Sequence, residues 1–193
     1  MLRKLLLILV GGFAIQFLLS CEKCGPIPTF EMFYTGLSLR TGAEIDSRLN
    51  LDEDTIRTEN FRLEIYLEHE QVALSEQRSS FHFGFNKANA LDCPTPLYNY
   101  SDKLKDLNIL MINQEDRNQM IDVTTNFGSN FNSEIISVKD LIEIQNEYQD
   151  QFSLDLLLVD YDSIYEKASF QVTATLESGE TFTEETEEII FVD

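Results

Sequence analysis

A two-sheet, mainly antiparallel β-sandwich with one short helix is the fold class this sequence predicts, on three observations. Apolar residues recur at every second position through most of the chain after residue 29, the mark of strands with one buried face. A single stretch, starting at Ser137, carries apolar residues at helical spacing. Residues 21–193 number 173, the size of one domain with a real core.

The elements follow in chain order. Phe30, Met32 and Tyr34 alternate with Glu31, Phe33 and Thr35, and after Gly36 the phase shifts to Leu37 and Leu39. A glycine at such a shift predicts a bulge or bend. Residues 41–60 are polar and acidic and read as a long loop. Phe61, Leu63, Ile65 and Leu67 alternate with Arg62, Glu64, Tyr66 and Glu68. Phe81, Phe83 and Phe85 make another alternating run, which reads as core between two sheets. Leu107, Ile109 and Met111 form a further strand, Ile121 with Val123 a weaker one, and Phe152, Leu154, Leu156 and Leu158 the next. The last two are Phe170 to Leu176 and Thr181 to Val192, joined at Gly179, which supplies the positive φ of a tight turn. The helix starts at Ser137 as cap, with Asp140 three residues on as an acidic capping box, and presents Val138, Leu141 and Ile142 on one face over about ten residues. Seven or eight strands and one helix describe an immunoglobulin-like plan. The chain has no Trp, so the buried Trp of antibody domains is missing, and the strand order stays open.

The first residues are a separate matter. Arg3 and Lys4 precede an apolar run from Leu5 to Leu19, followed by Ser20 and Cys21. The run is shorter than the roughly 20 residues that span a bilayer, and a basic start, apolar run and small residue describe a cleaved secretory signal. Leu18-Leu19-Ser20-Cys21 resembles the lipobox of bacterial lipoproteins. That resemblance implies acylation at Cys21, with two or three chains giving a stable anchor. Glu22 stands where an aspartate would signal inner-membrane retention, so the implied address is the outer membrane, on its periplasmic or its cell-surface side. The expected organisation is a signal peptide over 1–20, a lipidated tether over 21–29 and the sandwich domain over 30–193.

Without residues 1–20 the chain has 12 basic and 34 acidic residues, a net charge near −22. That surface repels nucleic acid, which is excluded as a partner. Acidic residues are densest near the end: Glu177, Glu180, Glu184, Glu185, Glu187 and Glu188. They read as a solvated face or, more sharply, as a site for Ca²⁺ or a cationic partner. Cys24 and Cys93 are the two cysteines after Cys21. In an oxidising compartment they read as one disulfide, contributing roughly 4 kcal/mol through loop closure and holding the domain within about 10 Å of the lipid. The alternative is a flexible tether with two free thiols.

Catalytic motifs are scarce. His69 lies between two glutamates at a strand end and His82 points away from the Phe run; neither has the second histidine or the cysteine pair that a zinc site needs. There is no nucleophile elbow around Gly128-Ser129 and no phosphate-binding loop. Asn50, Asp52 and Asp54 have the odd-position spacing of a calcium loop, but Thr55 and Phe61 stand where that loop needs glycine and glutamate. Asn99-Tyr100-Ser101 fits a glycosylation sequon that a bacterial export signal makes incidental. A pair of carboxylates could serve a hydrolase, yet nothing in the sequence selects two of them. The expectation is no enzyme, no catalytic residue, no metal and no cofactor.

The stretches Cys24-Gly25-Pro26 with Phe30 to Leu39, Ala88 to Pro94, Tyr100-Ser101-Asp102-Lys103, Phe152 to Leu158, and Phe170 to Phe182 carry a family likeness. With the lipobox, they resemble a group of uncharacterised Bacteroidetes-type lipoproteins. The resemblance covers most of the chain after Cys21. It implies an envelope lipoprotein with a β-rich domain, and supplies no activity. The function expected is therefore a lipid-anchored, non-catalytic binding or scaffold module, its partner another envelope protein or a glycan. The alternatives are a surface module that binds glycan or Ca²⁺, and a carboxylate-based hydrolase.

Overall fold

The computed structural model describes residues 29–45, 48–50, 55–73, 97–148 and 153–192. The chain divides into two units, residues 1–32 with 71–99, and residues 33–70 with 100–193. In the first, the Phe30 and Tyr98 rings stack 5.7 Å apart. Cys21, Cys24, Cys93, His82, the Phe81–Phe85 run, Asp52, Asp54 and Phe152 lie outside the described residues.

The strands are β1 (Thr29–Ile45), β2 (Arg48–Asn50), β3 (Thr55–Arg57), β4 (Phe61–Ala73), β5 (Leu97–Tyr100), β6 (Leu104–Asn113), β7 (Met120–Asp122), β8 (Phe127–Phe131), β9 (Glu134–Ser137), β10 (Ser153–Leu158), β11 (Lys167–Leu176), β12 (Thr181–Glu185) and β13 (Ile189–Val192). The helix α1 (Val138–Tyr148) follows β9 directly. One sheet runs β2-β1-β4-β10-β8-β9, with β5 also on β1. The other runs β3-β13-β11-β6-β7, with β12 also on β11. Among the described residues the fold is thus mainly β, with two sheets and one α-helix, as the periodicity predicts.

The two sheets share one core. Leu63, Ile65, Leu67, Leu154, Leu156 and Leu158 come from one, and Leu107, Ile109, Met111, Phe170, Val172 and Ala174 from the other. Four rings join them: Phe61 stacks on Phe170 at 5.1 Å and meets Phe191 edge-on at 5.2 Å, while Phe127 meets Phe170 at 5.6 Å. Alternation in β4 is complete from Phe61 to Leu67. In β1 the buried phase changes across Gly36, so that Leu37 and Leu39 face the core.

The cap of α1 forms as expected. The Ser137 hydroxyl donates to the Asp140 carboxylate at 2.6 Å, and its oxygen accepts the Asp140 N–H at 3.2 Å. Val138, Leu141 and Ile142 are buried. Asn146 donates to the Leu104 carbonyl at 2.7 Å, fastening the helix to β6.

Two expectations need correction. Residues 41–60 are not one loop: β1 continues to Ile45, and β2 and β3 follow. Ile56 is buried, and β3 lies parallel to β13, Ile56 opposite Phe191; a partner so far along the chain leaves no local signal. The sheet pairing nonetheless stays mainly antiparallel, as expected. Thr181 to Val192 is not one strand. The Thr186 N–H bonds the Phe170 carbonyl, but the Phe170 N–H is taken by the Thr186 hydroxyl rather than its carbonyl. The ladder stops there, and β13 pairs with β11 further along, at Lys167 and Ala168.

The hairpin β8–β9 is an addition to the sequence reading. Phe131 lies opposite Glu134, so Asn132-Ser133 is a two-residue turn, and both have positive φ, 51° and 70°. This is the geometry that matches strand twist.

Candidate functional site

Within the second unit, a groove of about 560 Å³ opens between the two sheets. Its floor is Leu37 and Leu39 of β1, and its walls are Arg40 and Thr41, Glu68 of β4, and Glu184 to Glu187 at the β12–β13 connection. The local reasons are visible in the strands. The phase change at Gly36 turns Leu37 and Leu39 inward. Glu184 lies opposite the buried Val172, so it occupies the core-side face of β12 where the sheets part. The turn at Thr186 then aims Glu187 into the same opening.

The carboxylates there differ in what they hold. Glu185 accepts with both carboxylate oxygens from a single Arg117 nitrogen, Nη2, at 2.7 and 2.9 Å. It also accepts the hydroxyl of Ser169, a buried residue, at 2.7 Å. Gln114 donates to that same Ser169 hydroxyl. Glu185 is thus consumed structurally. Glu68, Glu184 and Glu187 make no ion pair among the described residues. Arg40 lies over the Tyr66 ring, 4.8 Å from its centroid, and Tyr66 donates to Glu64 at 2.6 Å. That hydrogen bond, chiefly, raises the Tyr66 hydroxyl above its ordinary pKa.

Of the six glutamates that the sequence singles out, three line the groove: Glu184, Glu185 and Glu187. Glu177, Glu180 and Glu188 do not. Glu68, Arg40 and the apolar floor come from strands far away in sequence, and Arg117 from the β6–β7 loop. Only the pairing of β1 with β4 brings Glu68 to this place, so no local pattern could have named it.

Among the described residues, no group of three or more His, Cys, Asp or Glu side chains is placed to hold a metal ion. His69 is exposed, its Nδ1 3.4 Å from the Leu67 carbonyl. No helix among the described residues is long and apolar enough to cross a membrane. The groove offers negative charge and apolar floor together, which suits a cationic, partly apolar group. No protein-family model matches the chain, and neither a curated protein nor a solved structure matches it.

Proposed function

We propose that this chain is an envelope lipoprotein, anchored through Cys21 to the outer membrane, whose β domain works as a non-catalytic binding module. The observation that carries the binding role is the open acidic groove, where Glu68, Glu184 and Glu187 have no ion-pair partner among the described residues. The anchor rests on Leu18-Leu19-Ser20-Cys21. A lipid anchor raises the local concentration of such a groove at a membrane, so that modest contacts suffice for a partner held there too. Cys24 and Cys93 form the bridge that holds the tether to the domain.

Two experiments test this. Labelled palmitate fed to the host should enter the wild-type protein and not Cys21→Ser; equal labelling removes the anchor at this residue. Cross-linking on intact cells should trap an envelope protein whose yield falls in a Glu184→Gln, Glu187→Gln double variant. An unchanged yield removes the groove as the binding surface. Mass spectrometry without reduction decides the bridge, since free thiols at Cys24 and Cys93 would overturn it.

A further inference from the structure

Strand β12 has β11 as its sole strand partner among the described residues. The direction of its free groups follows from the ladder. The Leu176 N–H bonds the Glu180 carbonyl at 2.8 Å, and the Thr186 N–H bonds the Phe170 carbonyl at 2.9 Å. Thr173 lies opposite Thr183, and Val172 opposite Glu184. Bonded and non-bonded pairs alternate in an antiparallel ladder, so residues 182 and 184 turn their backbone groups toward β11. Thr181, Thr183 and Glu185 therefore turn theirs outward, to the open edge that borders the groove.

An open edge pairs readily with another strand. Charge decides which. A second copy of this chain, at net charge −20, brings like charge against Glu184 and Glu187. A basic strand brings the complement.

We propose that an extended, basic segment of a partner protein adds as a strand to β12 and places its Lys or Arg side chains against Glu184, Glu187 and Glu68. This rests on the binding-module reading above and names the partner's chemistry. Side chains on one face of a strand recur every second residue, about 6.8 Å apart, so the segment carries its basic residues at alternate positions, on the groove side. Within the groove the aliphatic stems of those Lys or Arg side chains lie over Leu37 and Leu39, and the backbone bonds the outward groups of Thr183 and Glu185.

The test uses the full-length protein in detergent and a labelled ten-residue peptide of alternating Lys and Val, with a Glu–Val peptide as control. Fluorescence anisotropy should show binding of the Lys–Val peptide alone, weakened about tenfold by Glu184→Gln with Glu187→Gln. Thr183→Pro removes an outward N–H and the hydroxyl bond to Thr173 but leaves the backbone bonds to β11 in place, and should weaken binding about tenfold while the acidic groups remain. Should that variant fold poorly, hydrogen exchange on the wild type decides: bound peptide should slow exchange at the Thr181, Thr183 and Glu185 amides. Unchanged exchange there with peptide bound, equal binding of both peptides, or no binding of the Lys–Val peptide overturns strand addition. The last outcome leaves the binding-module reading standing on its own cross-linking test.

Discussion

The Asp102 carboxylate accepts the Ser178 N–H at 3.2 Å and so ties the entrance of β6 to the turn between β11 and β12. The same carboxylate accepts the Lys103 N–H at 2.8 Å, and the Glu177 N–H bonds the Lys103 carbonyl at 2.9 Å. Burial pushes the Asp102 carboxyl upward, but bonds from the Ser178 hydroxyl and from the Lys103, Ser178 and Glu177 backbone outweigh it, and its pKa ends below the ordinary value. The Asp122 carboxyl is also lowered, first by the Thr124 N–H and then by the Thr124 hydroxyl.

A carboxyl whose folded pKa lies below its unfolded one binds fewer protons when folded. Its stabilisation is therefore present above the unfolded value, about 3.9, and is lost as pH falls through the folded value. Urea unfolding should show stability falling below about pH 4. Asp102→Asn should cost about 1 kcal/mol at pH 7 and flatten the acid slope. An unchanged slope in that variant would remove Asp102 from the account.

Two glycines in β1 and β8 should respond differently to alanine. A Cβ on Gly128 would stand 2.7 Å from Ile135 Cγ2 and 2.9 Å from the Ile136 carbonyl oxygen. That oxygen belongs to the paired strand β9 and cannot move alone, so Gly128→Ala should cost about 1–3 kcal/mol. At Gly36 the near atom is Glu68 Oε2, at 2.8 Å, the end of a flexible side chain that can swing away. Gly36→Ala should stay within about 0.5 kcal/mol. Equal losses in thermal melts would contradict the difference in rigidity.

The ring cluster that joins the sheets should be the most sensitive place in the core. Phe61 touches Phe127, Phe170 and Phe191. Phe61→Ala removes a fully buried ring shared by both sheets and should cost about 3–5 kcal/mol. A loss under about 1 kcal/mol in denaturant titration would mean that the cluster does not hold the sheets together.

Arg117 and Glu185 should not be equivalent in spite of forming one ion pair. The pair is mostly exposed on the Arg117 side, 60% against 31%, and exposed pairs contribute about 0–1 kcal/mol. Arg117→Ala should fall in that range. Glu185→Ala also takes the acceptor from the buried Ser169 hydroxyl, and should cost about 1 kcal/mol more. Identical unfolding midpoints for the two variants would show that Ser169 finds another acceptor.

Local chemistry made several features readable in advance. The Phe61 to Leu67 alternation gave a strand because one face had to be buried, and the structure buries that face. Ser137 and Asp140 marked the start of α1 because a capping serine satisfies first-turn N–H groups that have no partner within the helix. Gly179, at φ 92°, closes the turn with its N–H on the Leu176 carbonyl at 3.0 Å. Asn132-Ser133 carries a weaker signal for its hairpin, since neither residue is glycine.

The sequence by itself determined the two-sheet β class, the one helix with its cap, the turn at Gly179 and the concentration of acid near the end of the chain. All of these rest on contacts within a few residues. Tertiary structure alone decided which strands pair, that β3 runs parallel to β13, and where the chain breaks between β12 and β13. It also decided which glutamates share a groove: Glu184 and Glu187 meet Glu68 and the floor of β1, whereas Arg117 claims Glu185. Those outcomes depend on partners tens of residues apart, whose meeting is set by the fit of two whole sheets around one core, and a local pattern carries no record of it.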